Sequence, residues 1–183
     1  MTDRPIVEMI LDKAGQKGTG KWTAVNALDL GIPAATIAEA VFARGMSALK
    51  DERIKASESL GGPKPSTLRT SVDDAEAFVN QVRDALYCSK ICVYAQGFQL
   101  MRAMSVERNW DIDFGTLAKI WRGGCIIRAA FLQPITEAFR RSPALPNLLM
   151  DSFFMNAVAE MQKAWRTVIA AAANAGIPTP AFS

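Results

Sequence analysis

A short loop rich in glycine and lysine near the start of the chain has the residue types best suited to chemistry. Residues 15–22 read Gly-Gln-Lys-Gly-Thr-Gly-Lys-Trp. Because glycine has no Cβ, such a loop lets the backbone approach a ligand closely, and its N–H groups can point at an anion. The two lysines add positive charge. The loop therefore predicts a binding site for a phosphate group.

One candidate phosphate is that of a nucleotide, because residues 15–21 fit the Gly-x4-Gly-Lys pattern of a P-loop. A P-loop continues with Ser or Thr, whose hydroxyl holds Mg²⁺, but this sequence has Trp22. A P-loop also follows a buried strand, and the apolar residues 9–11 have no second strand with which to form a sheet. No Gly-x-Gly-x-x-Gly dinucleotide fingerprint occurs either. We therefore expect neither nucleotide hydrolysis nor a dinucleotide site within this sequence.

The composition excludes several other classes of function. The chain has no histidine, which rules out a Ser-His-Asp or Cys-His nucleophile within it and disfavours a zinc site. A formal net charge of +3 is too small to indicate nucleic-acid binding. Cys88, Cys92 and Cys125 form no Cys-x-x-Cys pair and are predicted to be buried free thiols in a reducing cytosol. We find neither a secretory signal nor a membrane-length apolar run, and expect a soluble cytoplasmic protein without a membrane partner.

The elements that must position the loop are predicted to be helices. Half of the sequence is hydrophobic, which is enough for the core of a single domain over residues 1–183, and no segment reads as a convincing strand. The predicted helices cover residues 22–30, 34–60, 72–108, 113–121 and 125–141, followed by a last helix before Gly176 and Pro178. The third of these is apolar on most sides between Ala85 and Met104. It is therefore predicted to form the buried centre of a helical bundle.

A repeated tripeptide marks the ends of two predicted helices. Gly-Ile-Pro occurs both at residues 31–33 and at residues 176–178, and each copy follows a predicted helix. Glycine followed shortly by proline is a common way to end a helix.

The last helix has one apolar stripe, formed by Phe154, Val158, Met161, Trp165, Val168 and Ala172. Spacings of three and four residues predict that this stripe packs against the core.

Several blocks of the sequence resemble the decarboxylating 6-phosphogluconate dehydrogenases of the pentose phosphate pathway. The glycine loop, extended to residues 10–22, is similar to the characteristic motif of that family. The other similar blocks, at residues 27–33, 39–44, 47–53, 94–98, 121–128 and 176–183, follow in the order found in the family. The resemblance implies an all-α fold over the whole chain, that of the C-terminal helical domain of this enzyme.

The resemblance also implies three substrate-binding residues. By their positions in the matching motifs, Lys17, Thr19 and Arg44 correspond to side chains that contact the phosphate of 6-phosphogluconate in the family. The residue types suit this role. Arginine can engage a phosphate through two parallel N–H bonds, lysine acts as a point charge, and a threonine hydroxyl adds one donor.

Other interpretations of these residues remain open at this point. Lys17 could instead cap the C-terminus of a helix, and Arg44 could form an ion pair with Glu39 or Asp51. The neighbouring Lys21 is expected to face solvent or an acidic side chain. Catalytic, cofactor-binding and metal-binding residues are not predicted within this chain.

The family's reaction sets what we expect this domain to do. In the family, the 3-hydroxyl of 6-phosphogluconate is oxidised by hydride transfer to NADP, and loss of CO₂ then leads to ribulose 5-phosphate. The resemblance implies that the NADP-binding Rossmann domain, the catalytic lysine and glutamate, and a C-terminal tail lie outside this sequence. The chain would be an excised domain that binds substrate and forms most of a homodimer interface, without dehydrogenase activity alone. The competing hypothesis is a freestanding helical dimerisation or interaction module without catalysis.

Overall fold

Helices are the only regular elements in the part of the chain that the computed structural model describes, residues 4–183 without the side chains of Thr70 and Ser71. This confirms the all-α prediction. The nine α-helices in this part are α1 (Ile6–Met9), α2 (Thr19–Asp29), α3 (Ala35–Ala48), α4 (Lys50–Ser59), α5 (Ser66–Ser71), α6 (Ala75–Glu107), α7 (Phe114–Ile120), α8 (Leu132–Arg141) and α9 (Ser152–Asn174). A short 3₁₀ helix, Leu148–Met150, precedes α9.

The longest helix, α6, forms the centre of the core, as its sequence predicts. It packs against α3, α9 and the 3₁₀ helix, so its apolar residues find partners in several directions. Its buried residues are Ala85, Cys88, Ser89, Ile91, Ala95, Phe98, Leu100 and Ser105. Along α9, Phe154, Val168 and Ala172 of the predicted stripe are buried. The other three residues of that stripe are only half-buried.

An aromatic cluster joins α7 and α8 to the core. The Phe98 ring on α6 lies 6.1 Å from that of Phe114 on α7 and 5.1 Å from that of Phe139 on α8, measured between centroids. The Phe131 ring, just before α8, meets that of Tyr94 edge to face at 5.0 Å. Tilted and edge-to-face pairs of this kind add to the stabilisation from burial alone.

The prediction of one helix over residues 34–60 is wrong, because the chain breaks at Leu49. Its ψ of 45° lies outside the helical range and separates α3 from α4. The guanidinium of Arg53 donates to the carbonyl of Ser47 at 3.1 Å and so satisfies an acceptor at the end of α3. Leu49 itself is an ordinary helix-forming residue, which is why the break has no local signal.

The predicted helix over residues 125–141 is also too long, because α8 begins only at Leu132. Residues 125–131 form turns instead, and the hydroxyl of Tyr94 on α6 donates to the carbonyl of Ile127. Pro134 explains where the helix can start. Its ring clashes with the carbonyl four residues earlier, and proline is tolerated only within the first turn.

The two Gly-Ile-Pro segments end their helices with the same geometry. Gly31 and Gly176 have φ values of 64° and 67°, in the left-handed region that favours glycine. The N–H of Ile32 donates to Ala27 at 2.8 Å, and the N–H of Ile177 donates to Ala172 at 2.9 Å. These are the six-to-one bonds of a Schellman motif, so both segments are C-terminal caps of α2 and α9.

The three cysteines in the described part of the chain are free thiols. Cys88 is buried, as predicted, whereas Cys92 and Cys125 are only half-buried. Burial raises the pKa of the Cys88 thiol to about 11, with smaller contributions from Cys92 and Asp84. Within residues 4–183, we find no helix that combines the length and the apolar character needed to cross a membrane.

Asp151 begins α9 and has a largely buried side chain, which is 8% exposed. One carboxylate oxygen accepts from the N–H of Phe153 at 3.1 Å and caps the helix. The other lies 2.7 Å from the guanidinium of Arg141, at the end of α8. Asp151 therefore connects the ends of two helices that enclose the core.

We expect Asp151→Ala to lower the free energy of unfolding by about 2 kcal/mol, because it removes a helix cap and the partner of Arg141. Arg141 is half-exposed and recovers hydration, so the lost cap should contribute most of the effect. Urea denaturation followed by circular dichroism measures the change. Asp151→Asn keeps a capping side chain and should lose less than half as much stability. Equal losses in the two variants would contradict the capping role.

Candidate anion-binding site

A cavity of about 500 Å³ lies between the glycine loop, α3 and the turns before α8. It is lined by Gln16, Lys17, Thr19, Gly20, Ile37, Ala40, Val41, Arg44 and Ile126. The three side chains predicted to bind phosphate, Lys17, Thr19 and Arg44, therefore face a single cavity. Two of them come from the loop and the first turn of α2, and the third comes from α3.

The N-terminus of α2 opens into this cavity. Gly18 is its N-cap residue, with a φ of 101° that favours glycine, and Thr19 is the first residue of the helix. No side chain caps this end. The first N–H groups of a helix lack partners within it and carry a partial positive charge. The end of α2 is therefore suited to receive an anionic ligand.

The two cationic side chains of the cavity have no acidic partner among residues 4–183. The ion pairs in this part of the chain are Arg4–Glu8, Arg53–Asp12, Arg83–Asp84 and Arg141–Asp151. Arg44 thus pairs with neither Glu39 nor Asp51, and Lys17 immediately precedes the start of a helix instead of capping its end. Both side chains are exposed. Two positive charges therefore face the cavity without a carboxylate to neutralise them.

Close packing of α2 on α3 determines the shape of the cavity. A Cβ added to Gly20 would lie 2.9 Å from a methyl carbon of Val41, closer than such contacts normally occur. Any larger residue at this position would push the two helices apart. Gly20 therefore lets α2 and α3 pack closely. The distance between these helices in turn sets the distance between Thr19 on α2 and Arg44 on α3.

A polar pair holds the start of α3 against the central helix. The backbone N–H of Thr36 donates to the side-chain oxygen of Gln96 on α6 at 3.1 Å. The amide nitrogen of Gln96 donates in return to the hydroxyl of Thr36 at 3.1 Å. Beside this pair, Ala27, Ala34 and Leu100 form a small buried cluster. The α2–α3 unit is thus attached to α6 by both polar and apolar contacts.

The sequence analysis missed several residues of the lining. Ile37 and Val41 precede Arg44 by seven and three positions on α3, so helical spacing already places them on one face. Ile126 is 99% exposed and reaches the cavity from a distant part of the chain. Only the tertiary position of the turns before α8, held by the bond from Tyr94 to Ile127, brings it there.

The arrangement favours binding over proton transfer. The lining contains a lysine, an arginine and a threonine hydroxyl, but no carboxylate or thiol that would act as a catalytic acid or base. Lys21 is exposed and does not line the cavity. Among residues 4–183, no group of three or more potential metal ligands is placed to hold a metal ion. Residues 4–14, the described part of the segment before the loop, contain helix α1 and no strand, which argues against the P-loop interpretation.

Comparison with known families agrees with the resemblance of the motifs. All residues from 1 to 183 match the family model described as 6-phosphogluconate dehydrogenase, C-terminal domain. The chain belongs to the 6-phosphogluconate dehydrogenase family. The fold and the cavity described above are therefore those of a C-terminal domain of this family.

Individual relatives support the same assignment. The NADP⁺-dependent decarboxylating 6-phosphogluconate dehydrogenase of Bacillus subtilis is 56% identical over 182 residues, which cover 100% of this chain and 38% of that protein. Decarboxylating enzyme 1 of Saccharomyces cerevisiae is 55% identical over 180 residues, covering 98% of this chain and 36% of that protein. The chain thus spans little more than a third of the length of these curated relatives.

A solved structure is also similar throughout the chain. Plasmodium falciparum 6-phosphogluconate dehydrogenase superposes with a TM-score of 0.86 at 40% sequence identity. The match covers 99% of this chain and 38% of that one. The Plasmodium enzyme has been solved in its apo form, with its cofactor NADP⁺ and with its substrate 6-phosphogluconate.

The contact between Gly20 and Val41 gives a testable prediction. We expect Gly20→Ala to destabilise the protein by about 1 kcal/mol, because overpacking outweighs the gain in helix propensity. Gly15→Ala is the matched control, since a Cβ at Gly15 would have no neighbour within 4 Å. Urea denaturation measures both variants. The packing role of Gly20 would be wrong if the two changes had the same effect.

Proposed function

We propose that this domain holds the phosphate group of 6-phosphogluconate in an enzyme that converts this sugar acid to ribulose 5-phosphate and CO₂ while reducing NADP. The observation that carries the proposal is the convergence of Lys17, Thr19 and Arg44 on one cavity at the uncapped start of α2. The names of the relatives and the substrate complex of the Plasmodium enzyme support the same ligand. In this role the domain would act in the pentose phosphate pathway.

Each group in the cavity has a distinct part in holding the phosphate. Arg44 can donate two parallel N–H bonds to two phosphate oxygens, which fixes the orientation of the group. Lys17 adds a point charge, and the Thr19 hydroxyl and the first N–H groups of α2 add neutral donors. Binding energy at this remote end of the substrate orients the sugar acid for reaction elsewhere. The domain therefore contributes to binding and orientation, and the acid–base steps belong to other groups.

The described residues are suited to the phosphate of the substrate but not to a dinucleotide cofactor such as NADP. They form no strand–turn–helix unit, and the sequence has no glycine fingerprint that would cradle a dinucleotide pyrophosphate. We propose that NADP, which accepts hydride in the family's reaction, is held mainly by a part of the enzyme outside this sequence.

A homodimer is part of the same proposal. Large apolar side chains remain exposed on α2 and α3, including Trp22 at 65%, Leu28 at 81% and Phe42 at 73%. Apolar surface of this kind commonly marks a protein interface. A second copy of the chain is the partner that the family assignment favours. The single-domain organisation of residues 1–183 and the cytoplasmic location stay predictions.

The alternative of a freestanding interaction module is less well supported. Such a module would need neither two unpaired cations in one cavity nor an uncapped helix N-terminus beside them. Unpaired cations in a shared cavity repel each other, and an anionic ligand removes this cost. A phosphate site requires both features, whereas an interaction module requires neither.

The phosphate-binding role predicts the kinetics of two variants of the full-length enzyme. Lys17→Ala and Arg44→Ala should each raise the KM for 6-phosphogluconate by about 10- to 100-fold, because each removes a charge-assisted bond. Steady-state assays of NADPH formation measure the change. Lys21→Ala removes a lysine from the same loop but outside the cavity, and should leave this KM unchanged. An unchanged KM in both Lys17→Ala and Arg44→Ala would refute the proposed role.

A second prediction concerns the chain by itself. Residues 1–183 should bind 6-phosphogluconate weakly and should form no NADPH when mixed with this substrate and NADP, because the cavity offers binding groups only. Isothermal titration calorimetry and absorbance at the NADPH maximum measure the two properties. Lys17→Ala should abolish the remaining binding. Sustained NADPH formation by the chain alone would contradict the assignment of the chemistry to other parts of the enzyme.

A further inference from the structure

Three side chains at the junction of α3 and α4 hold the segment that leads into the glycine loop. The Ser47 hydroxyl accepts from the N–H of Ala14 at 3.0 Å. The ammonium group of Lys50 donates to the carbonyl of Leu11. Arg53 binds Asp12 through both its carboxylate and its carbonyl. We call Ser47, Lys50 and Arg53 the loop anchor.

Arg53 makes the most contacts of this anchor. One terminal nitrogen donates to the carbonyl of Asp12 at 2.9 Å and to the carbonyl of Ser47 at 3.1 Å. The other lies 3.3 Å from the carboxylate of Asp12, whose side chain is 69% exposed. An ion pair so exposed contributes little, so the two bonds to backbone carbonyls matter more. A single guanidinium thus bridges the segment before the loop and the last turn of α3.

The backbone of Asp12 shows why this segment needs a fixed partner. Its φ is 52°, in the left-handed region that few residues other than glycine adopt. Aspartate tolerates this conformation better than most side chains. The turn it produces directs Ala14 towards Ser47. The bonds from Arg53 hold both the carbonyl and the carboxylate of the turning residue.

The loop anchor connects the two halves of the phosphate cavity. Lys17 follows Ala14 by three residues, and Arg44 lies one helical turn before Ser47 on α3. Between Ala14 and Gly18, the described residues form no other side-chain bond to the rest of the chain, and a Cβ added at Gly15 would meet nothing within 4 Å. The position of Lys17 relative to Arg44 therefore depends on the anchor. Arg53 itself does not line the cavity.

We propose that Arg53 is a positioning residue for 6-phosphogluconate binding, which sets the distance between Lys17 and Arg44 without touching the substrate. This inference rests on the proposed function of the cavity. If the anchor is released, Lys17 can move away from the phosphate while Arg44 stays in place on its helix. Loss of Arg53 should then weaken substrate binding through the loss of the Lys17 contact. Binding of NADP should not change, because we propose that NADP is held mainly by a part of the enzyme outside this sequence.

The test uses the full-length enzyme and compares Arg53→Gln, Lys17→Ala and the double variant. Arg53→Gln should raise the KM for 6-phosphogluconate about tenfold, as misplacement of a binding group does, and leave the KM for NADP unchanged. The double variant should have nearly the same KM as Lys17→Ala, because Arg53 acts through Lys17. A loss of stability alone would lower the amount of active enzyme without this pattern. Arg83→Gln, which removes an exposed ion pair on α6, is the matched control and should behave as the unaltered enzyme.

Milder variants keep the test decisive if Arg53→Gln fails to fold. Ser47→Ala removes only the acceptor for the N–H of Ala14, and Asp12→Asn removes the charge while tolerating the left-handed backbone. Ser47→Ala should raise the KM for 6-phosphogluconate by a smaller factor than Arg53→Gln, again without a further effect in the Lys17→Ala background. Asp12→Asn should change this KM little, because the exposed ion pair contributes little and the bonds from Arg53 to backbone carbonyls remain. Additive effects in that background would overturn the proposal.

The outcomes separate this inference from the proposed function. If Lys17→Ala raises the KM and the anchor variants do not, the positioning role is wrong and the phosphate site stands. If Lys17→Ala and Arg44→Ala both leave the KM unchanged, the phosphate site itself is wrong, and the positioning role fails with it. A raised KM for NADP in Arg53→Gln would also overturn the proposal, since it would indicate a general distortion.

Discussion

Burial of α6 on several sides is the constraint on which the rest of the structure depends. Between Ala85 and Met104 this helix of 33 residues is apolar on most sides and cannot face water, so other elements must cover it. Helix α9 covers it along much of its length, and α7, α8 and the 3₁₀ helix contribute to the same core. The α2–α3 unit is held to α6 through Gln96 and Leu100. The position of the cavity therefore depends on how firmly the α2–α3 unit is attached to α6.

The proposed phosphate cavity depends on two kinds of constraint with different physical origins. Packing sets the separation of the helices, because Gly20 allows α2 to approach Val41 on α3. Hydrogen bonds set the position of the loop, because the anchor satisfies the carbonyls and N–H groups of an irregular segment. Neither packing nor hydrogen bonding would suffice alone. Helix packing does not fix the path of an irregular segment, and a few exposed hydrogen bonds do not position two helices. The proposed binding residues thus depend on neighbours that do not line the cavity.

Most of the fold could be predicted from periodicity and from the residues that end helices. The long central helix and the breaks after α2, α4 and α9 follow from local patterns. The errors occur where a specific side-chain contact or a proline competes with local helix propensity. Leu49 reads as helix, but the bond from Arg53 to the carbonyl of Ser47 stabilises a break there. Residues 125–131 read as helix as well, but Pro134 must lie in the first turn of α8, and Tyr94 holds the turns before it.

The sequence by itself determined the class of fold, the family and the three candidate binding residues. Their types and their places in a continuous motif are local properties that need no coordinates. Only the tertiary structure decided that Lys17, Thr19 and Arg44 share one cavity, that the two cations have no acidic partner among residues 4–183, and that Ile126 completes the rim. It also revealed Arg53 as the bridge between the loop and α3. These facts depend on contacts between residues far apart in the chain, and such contacts leave no periodic or compositional signal in a single sequence.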